Sequence, residues 1–185
     1  MRRLPFLLLL ASCTLVLLLT ACTQEKNRFL IGVSQCSDDE WRTQMNKEIS
    51  REALFYPGLD VEIRSANDDN QRQIADIEYF IDEGADLIVV APNEAEAIAP
   101  IVEKAYSQGI PVVLVDRKTD SDHYTAYIGA DNYDMGYQIG TYIASRLHGQ
   151  GNMVELTGLK GSTPARDRHQ GLVDALSHHP GIHIV

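Results

Sequence analysis

The feature that most constrains the fold is a regular alternation of short apolar runs with amphipathic stretches, from residue 29 onward. The apolar runs are aliphatic and lack the polar alternation of a half-exposed sheet, so each is predicted to be buried on both faces. We predict strands at 29–35, 59–66, 86–92, 110–116, 124–130 and 152–158, with another beginning in 181–185. Such strands separated by helices indicate an α/β fold, a doubly wound parallel sheet covered by helices on both faces.

Each intervening helix has a predicted apolar face. Four-residue spacing in 39–56 puts Trp41, Met45, Ile49 and Ala53 on one side. The last helix opens at Thr163-Pro164, with proline at its first position. The inward stripes predicted for the helices between these two are Ile74, Ile77, Phe80 and Ile81; Ile98, Ile101, Val102 and Ala105; and Met135, Ile139, Tyr142, Ile143 and Leu147.

The second structural unit, from about residue 131, has two predicted strands and two predicted helices. A sheet this small buries too little apolar surface for a finished domain. The sequence ends at Val185 inside a predicted strand, and we expect further residues of the same domain to follow it.

Residues 1–21 have the three-part pattern of an export signal, with two arginines before a Leu-rich run over 4–19. The sequence LTAC at 19–22 resembles the cleavage box of a bacterial lipoprotein, with Cys22 as the acylated residue. The alternative is an uncleaved anchor, because the run approaches the roughly 18 to 20 apolar residues that span a bilayer. Both interpretations predict a linker at 22–27 and a periplasmic, membrane-anchored protein.

The net charge limits the classes of partner, and the cysteine content indicates how Cys36 is placed. The net charge of −10 becomes −12 when the two arginines of the signal are removed, and such an acidic surface repels nucleic acid and anionic lipid. We therefore expect small-molecule and protein partners and no nucleic acid. Cys36 is alone in the folded part and is predicted to be a small buried hydrophobe.

Polar and aromatic residues gather just after the predicted strands. The carboxyl ends of parallel strands meet at one edge of the sheet, where ligands bind. Asp116 and Arg117 follow an aliphatic strand directly, and Asp38 and Trp41 follow the first strand. Carboxylates and guanidinium groups bind hydroxyls in pairs, and an indole covers the C–H face of a sugar ring. The pattern favours a polyhydroxylated ligand.

Each of these residues has a structural alternative. Asp38 has the position of a helix N-cap, and Trp41 lies on the apolar stripe of its own helix. Asp116 and Arg117 are compatible with a surface ion pair. Capping or solvated roles are the alternatives for two further polar runs, 67–70 and 166–168.

Residues 28–185 resemble the type I periplasmic sugar-binding proteins of the ribose-binding kind. The resemblance rests on the segments IGVSQCSDDEW, EIRSANDDNQRQIADIEYFIDEGADLIVVAPNEAEAI, IPVVLVDRK, YIGADNYDMG and ELTGLKGSTPARDRHQG. Within that family, the sequence segments SQCSDDEWR, APNEA and STPARDR are most similar to those of the extracytoplasmic sugar-sensor domains of hybrid two-component histidine kinases.

The resemblance implies a two-lobed type I periplasmic-binding-protein fold with a sugar between the lobes. It places the first lobe at 28–130, the first hinge crossing at 130–132 and an incomplete second lobe at 131–185. The family's ligand positions carry over onto Asp38, Trp41, Asp116, Arg117, Asp131, Leu159 and Arg168. The chain departs from the ribose binders in two places, which bear on the identity of the sugar. It has Asp38, Glu40 and Trp41 in place of an asparagine and paired phenylalanines, and Ala91 in place of an asparagine, with Asn93 two residues on.

Catalytic motifs are missing from the sequence, which has no G-x-S-x-G, no H-E-x-x-H and no Cys/His metal spacing. We expect neither an enzyme nor a cofactor or metal site in these residues. A sugar-responsive DNA regulator would need a basic helix-turn-helix where the export signal lies. Two uses of sugar binding stay open, each with a membrane-embedded partner: the sensor domain of a hybrid histidine kinase, and the substrate-binding lipoprotein of a sugar ABC transporter.

Overall fold

The computed structural model describes residues 28–185, and the predicted export segment, the linker and Cys22 lie outside the described residues. Strands and helices alternate through the described part. In chain order they are β1 (Phe29–Gln35), α1 (Glu40–Ala53), β2 (Leu59–Ser65), α2 (Asn70–Asp82), β3 (Leu87–Val90), α3 (Ala95–Ser107), β4 (Val112–Val115), β5 (Ala126–Ile128), α4 (Asn132–Arg146), β6 (Gln150–Met153), α5 (Thr163–Leu176) and β7 (Gly181–Ile184). The predicted alternation is confirmed, with strands after β1 that are shorter than predicted.

The first sheet has the strand order β2-β1-β3-β4-β5, and all its strands are parallel. The chain runs from β1 outward to β2 and then crosses to β3 on the other side of β1. Because crossovers between parallel strands are right-handed, this reversal puts α1 on one face and α2 and α3 on the other. The doubly wound prediction is confirmed, and a ligand crevice is expected where the strand order reverses, at the carboxyl ends of β1 and β3.

The core of the first sheet lies between its strands and helices α2 and α3. Its apolar side chains include Ile77, Phe80, Ile98 and Leu114, all fully buried. The stripes predicted for α2 and α3 are confirmed. Gly32 allows close packing here, because a Cβ atom at this position would lie 2.4 Å from Phe80 Cγ.

Helix α1 faces the sheet differently from the prediction. Met45, Ile49 and Ala53 are partly buried, but Trp41 is 56% exposed and Arg42 is the buried residue of this helix. The predicted inward position of Trp41 is therefore wrong. The physical reason is that Arg42 turns inward to reach a carboxylate at the edge of the sheet.

The second sheet consists of β6 and β7, paired in parallel, and α4 packs on α5 beside it. The two helices approach through glycines. A Cβ atom on Gly136 would lie 2.0 Å from the carbonyl oxygen of Arg168, and one on Gly171 would lie 2.1 Å from that of Tyr133. We refer to β1–β5 with α1–α3 as the first lobe and to the remaining elements as the second lobe; the predicted boundary near residue 130 stays a prediction.

The glycine contact overturns part of the stripe predicted for α4. Met135, Ile139 and Tyr142 are exposed, because the face that meets α5 is the one with the smallest residues. Ile143 and Leu147 do pack on the small core of this lobe. The strand predicted at 152–158 ends at Met153, where its pairing with β7 ends.

Two further features concern the described residues. Cys36 is fully buried and forms no disulfide bond, which confirms its predicted role as a small hydrophobe.

Among residues 28–185, no helix has the length and apolar character needed to cross a membrane.

Candidate functional site

Asp116 is the first residue after β4 and has a left-handed backbone conformation, with a φ of +65°. This conformation is uncommon outside glycine, although aspartate adopts it more readily than most residues. The backbone N–H of Asp116 donates to the carbonyl of Ile128 (2.9 Å), and its own carbonyl accepts from the hydroxyl of Tyr127 (3.1 Å). These bonds hold the backbone of the turn. The partly exposed Asp116 side chain therefore starts from the edge of the sheet formed by the carboxyl ends of the strands, which we call the ligand edge.

Arg42 is a buried cation in the first turn of α1, with 3% of its side chain exposed. Its Nη2 donates to Asp116 Oδ2 at 2.8 Å, and its Nη1 donates to Gln35 Oε1 at 3.5 Å. Its Nε has no hydrogen-bond partner among the described residues and lies 3.6 Å from Asp39 Oδ2. An unpaired buried charge is strongly unfavourable, so Arg42 requires the counter-charge that Asp116 supplies.

Arg42 was not among the residues predicted from the sequence. No local pattern indicates its role, because its partner Asp116 lies 74 residues away along the chain. The four-residue apolar spacing that begins at Trp41 predicted that Trp41, and not its neighbour Arg42, faces inward.

Trp41 stands at the outside of this ion pair. Its indole is exposed, and its ring centroid lies 5.2 Å from Arg42 Cζ. The core alternative for Trp41 is wrong, and an aromatic face is available beside the Arg42–Asp116 pair.

Arg117 lies next to Asp116 in sequence but turns toward the loop after β3. Its Nη1 donates to the carbonyls of Asn93 (3.1 Å) and Pro92 (3.4 Å), and its Nε lies 3.8 Å from Asp116 Oδ2. The Arg117 side chain is mostly buried, so the two charges do not form a pair on an open surface. Each is held mainly by a partner from another part of the chain.

A buried amide network holds the loop that receives Arg117. Gln73 is fully buried, donates to the carbonyl of Ala91 (2.9 Å) and accepts from the N–H of Asn93 (2.8 Å). Asn93 is also buried and donates to Asn70 Oδ1 (2.8 Å). Asn93 therefore supports the edge of the sheet through its backbone and side chain. Nothing in the sequence pattern singles out Gln73 beyond its place in a helix.

Asp38 is exposed, and the N-cap of α1 is its neighbour Asp39. Asp39 Oδ1 accepts from the N–H of Arg42 (2.9 Å), and this bond is the main cause of an Asp39 pKa below the ordinary value. With its amide oriented to satisfy both ends, Asn67 donates to Asp38 Oδ2 at 2.5 Å. The N-cap alternative for Asp38 is wrong, and its carboxylate stands at the ligand edge.

The predicted second-lobe residues make their hydrogen bonds within their own lobe. Asp131 caps α4 by accepting from the N–H of Asp134 (2.9 Å). Arg168 Nε donates to the carbonyl of Pro164 (3.0 Å), one turn earlier in α5. Leu159 is exposed in the loop before α5. Of the predicted first-lobe residues, Trp41 and Asp116 contact Arg42. Arg117 lies beside Asp116, and Asp38 bonds Asn67. The other three predicted residues lie on the second lobe.

Asp131 and Arg168 line different hollows. One, of about 470 Å³, lies between the lobes and is lined by Lys118, Tyr127 and Asp131 among others. The other, of about 340 Å³, belongs to the second lobe and includes Arg168. Burial and then the charge of Asp116 raise the pKa of Tyr127, whose ring lies 4.6 Å from Lys118 Nζ.

The polar side chains of the first-lobe site, Asp38, Trp41, Arg42, Asp116 and Arg117, have the chemistry of a ligand-binding site. They offer carboxylates, guanidinium groups and an exposed indole, which together suit a molecule with several hydroxyls and an apolar ring face. Within residues 28–185, no group of three or more His, Cys, Asp or Glu could hold a metal ion.

A family model for the periplasmic binding protein domain matches residues 31–185, across both lobes. The chain belongs to the periplasmic binding protein domain family. Membership confirms the family predicted from the sequence and supports a binding rather than a catalytic role for this domain.

Curated relatives of this periplasmic binding protein domain include two sugar-binding proteins. The ribose import binding protein of Bacillus subtilis (strain 168) is 30% identical over 167 residues, which cover 83% of this chain and 54% of that protein. The galactofuranose-binding protein of Escherichia coli (strain K12) is 31% identical over 160 residues, which cover 84% of this chain and 50% of that protein. The chain spans about half the length of the curated relatives it matches.

Solved structures agree with the fold. The fructose-binding periplasmic domain of a hybrid two-component system is 62% identical, with a TM-score of 0.81, and the match covers 85% of this chain and 53% of that one. A myo-inositol-bound ABC transporter solute-binding protein from Bacillus halodurans C-125 is 29% identical, with a TM-score of 0.81 over 88% of this chain and 57% of that one. The predicted type I periplasmic-binding-protein fold and the likeness to a sensor domain are confirmed.

Proposed function

We propose that this domain binds a monosaccharide between its two lobes, with Asp116 and Arg117 as the polar anchors. The observation that carries the proposal is the buried Arg42, which holds Asp116 Oδ2 at 2.8 Å and leaves Asp116 Oδ1 for ligand hydroxyls. A carboxylate oriented in this way binds hydroxyls at little further entropic cost, because its rotamer is already restricted. Arg117 adds a second oriented charge beside it.

The other predicted residues have complementary roles in this proposal. Trp41 covers the C–H face of the sugar ring with its exposed indole, and Asp38 accepts from a hydroxyl at the rim. Arg168, Asp131 and Leu159 contact the sugar from the second lobe when the lobes close over it.

Fructose is the sugar we propose first. The solved domain that is 62% identical to this chain is described as fructose-binding, and its match spans both lobes. Relatives near 30% identity are described as binding ribose or galactofuranose, so the wider family recognises several polyhydroxylated rings.

We propose that the output is signalling, with this domain as the periplasmic, membrane-anchored sensor of a hybrid two-component system. The support is the same 62% identical domain, which comes from such a system. The alternative is a transport receptor, which the sequence LTAC at 19–22 favours because it resembles a lipoprotein cleavage box. Incorporation of labelled palmitate at Cys22 of the full-length protein would favour the receptor, and its absence together with a kinase region on the same chain would favour the sensor.

Calorimetric titration of the full-length protein tests the proposed ligand. Fructose, ribose, galactose and myo-inositol are titrated in turn, and we expect saturable heat with fructose. Arg117→Gln should weaken fructose binding by about 2 kcal/mol, which is roughly 30-fold, because it removes a charge-assisted donor from a closed site. Asp60→Asn, on the first strand pair at the amino end of the sheet, is the matched control and should bind as the wild type does. No heat with any sugar would refute the assignment.

A further inference from the structure

Four large apolar side chains are exposed at the amino end of the first sheet, opposite the ligand edge. Leu54, Phe55 and Tyr56 follow α1 directly and are 83%, 72% and 56% exposed. Phe29, at the start of β1, is 57% exposed. The backbone N–H of Phe29 donates to the carbonyl of Gly58 (2.8 Å), so the two segments lie side by side. We refer to Phe29, Leu54, Phe55 and Tyr56 as the apolar patch.

Hydrogen bonds hold the backbone that carries the apolar patch. The N–H groups of Leu54, Phe55 and Tyr56 donate to carbonyls of the last turn of α1, at 3.3, 3.1 and 3.1 Å. The N–H of Leu59 then closes the turn on the carbonyl of Tyr56 (3.1 Å). With about 150 to 200 Å² for each side chain, the exposed apolar area is roughly 500 Å². An apolar surface of this size on a globular domain marks an interaction site.

The segments around the apolar patch carry balanced charge. Arg28 pairs with Asp60, and Arg51 pairs with Glu48. The charged residues that flank the patch in sequence are three of each sign: Arg28, Lys47 and Arg51, and Glu48, Glu52 and Asp60. These segments therefore add no net charge, although the chain as a whole has a net charge of −10. Repulsion from lipid headgroups is weak here, because charges farther than about 10 Å are screened by salt.

The chain enters the first lobe beside the apolar patch. The Leu-rich run of the predicted export segment ends at residue 19, so nine residues, 20–28, join it to Phe29. Fully extended, these residues span at most about 30 Å, and part of that length is needed to cross the lipid headgroup layer. An anchor formed by the run, or an acyl chain on Cys22, would therefore keep the patch within about 30 Å of the membrane.

We propose that the apolar patch rests on the membrane, with its side chains in the interfacial layer of the lipid. Aromatic side chains favour this layer, because they present an apolar ring to the acyl chains. The contact is weak for a free protein, but the short tether gives the patch a high effective concentration of lipid. The ligand edge, at the other end of the parallel strands, then faces away from the bilayer. The inference rests on the membrane anchoring in the proposed function.

A second copy of the chain is the alternative occupant of the apolar patch. Roughly 500 Å² is less than the about 800 Å² that each partner buries in a stable protein complex. The short tether, by contrast, presents the patch to lipid in every molecule. The size of the patch and the position of the chain entry therefore favour lipid.

Quenching of tryptophan fluorescence by brominated phosphatidylcholine tests the contact. The full-length protein is reconstituted in phosphatidylcholine vesicles with and without the brominated lipid, and the wild-type signal, which includes Trp41, is subtracted. Phe55→Trp puts the reporter in the apolar patch, and Tyr142→Trp, at an exposed aromatic residue of α4, is the matched control. We expect the added fluorescence to fall by about half in Phe55→Trp and by less than about a tenth in Tyr142→Trp.

A second substitution tests whether the patch itself makes the contact. Adding Leu54→Ser to Phe55→Trp should lower the quenching at least about two-fold, because it removes an exposed apolar side chain while the tether is unchanged. Quenching that stays the same would mean that the tether alone brings this end of the lobe to the lipid, and it would overturn the patch contact.

The remaining outcomes separate this inference from the proposed function. Unquenched Phe55→Trp protein that sediments with the vesicles would overturn the patch contact and leave the anchoring intact. Protein that does not sediment with the vesicles would refute the anchoring and this inference together. A dimer in lipid-free detergent that Phe55→Ser dissociates would assign the patch to a second copy and overturn the lipid contact. Fructose titration is independent, because the patch lies at the opposite end of the strands from Asp116.

Discussion

Replacing Arg42 with methionine removes the buried cation of the ligand edge while keeping a long side chain in its place. Arg42 Nη2 bonds Asp116 Oδ2 at 2.8 Å, and a charge-assisted bond of this kind contributes about 2 kcal/mol. Without it the Asp116 carboxylate is free to rotate, because it is partly exposed and has water available on one side. We therefore expect fructose affinity to fall about 30-fold.

Stability should respond much less than affinity in the Arg42→Met variant. The substitution also relieves the burial of a guanidinium whose Nε has no hydrogen-bond partner among the described residues, which offsets part of the lost ion pair. We expect the free energy of unfolding to change by about 1 kcal/mol or less. Calorimetric titration with fructose gives the affinity, and urea denaturation of the same preparation gives the stability.

A matched control is Arg28→Met, which removes an exposed partner of Asp60 just before β1. It should change neither affinity nor stability. The reasoning would be refuted by an Arg42→Met variant that binds fructose as tightly as the wild type while Arg117→Gln does not. That outcome would mean that Asp116 keeps its orientation without Arg42.

Two further predictions concern the supports of the site. Gln73→Leu should lower the free energy of unfolding in urea by about 3 kcal/mol. The reason is that the Asn93 N–H and the Ala91 carbonyl lose a fully buried partner. A change below about 1 kcal/mol would show that water replaces the amide. Asp39→Ala should lower it by about 1 kcal/mol at neutral pH through loss of the α1 cap. The Asp39 pKa is lowered in the folded protein, so this stabilisation is present above the unfolded pKa and is lost as pH falls through the folded pKa. A difference between variant and wild type that stays constant in acid would contradict the capping role.

The candidate site was only partly predictable from sequence. Asp116 and Arg117 were predicted because, in a parallel α/β sheet, two charges directly after an aliphatic strand lie at the edge where ligands bind. Arg42 was not, because its role depends on Asp116, which lies 74 residues away along the chain. Asn93 was noted only as a departure from the ribose binders, and its support of Arg117 depends on Gln73.

The sequence by itself determined the order of strands and helices, the parallel class of the sheet and the edge where polar residues gather. Those properties follow from periodic burial and from the local chemistry of strand ends, both of which are written in neighbouring residues. The tertiary structure alone decided that Arg42 rather than Trp41 turns inward, that α4 meets α5 through glycines, and that Thr163 reaches Lys118 across the lobes. Each of these depends on a partner distant in sequence, and periodicity carries no information about which partner that is.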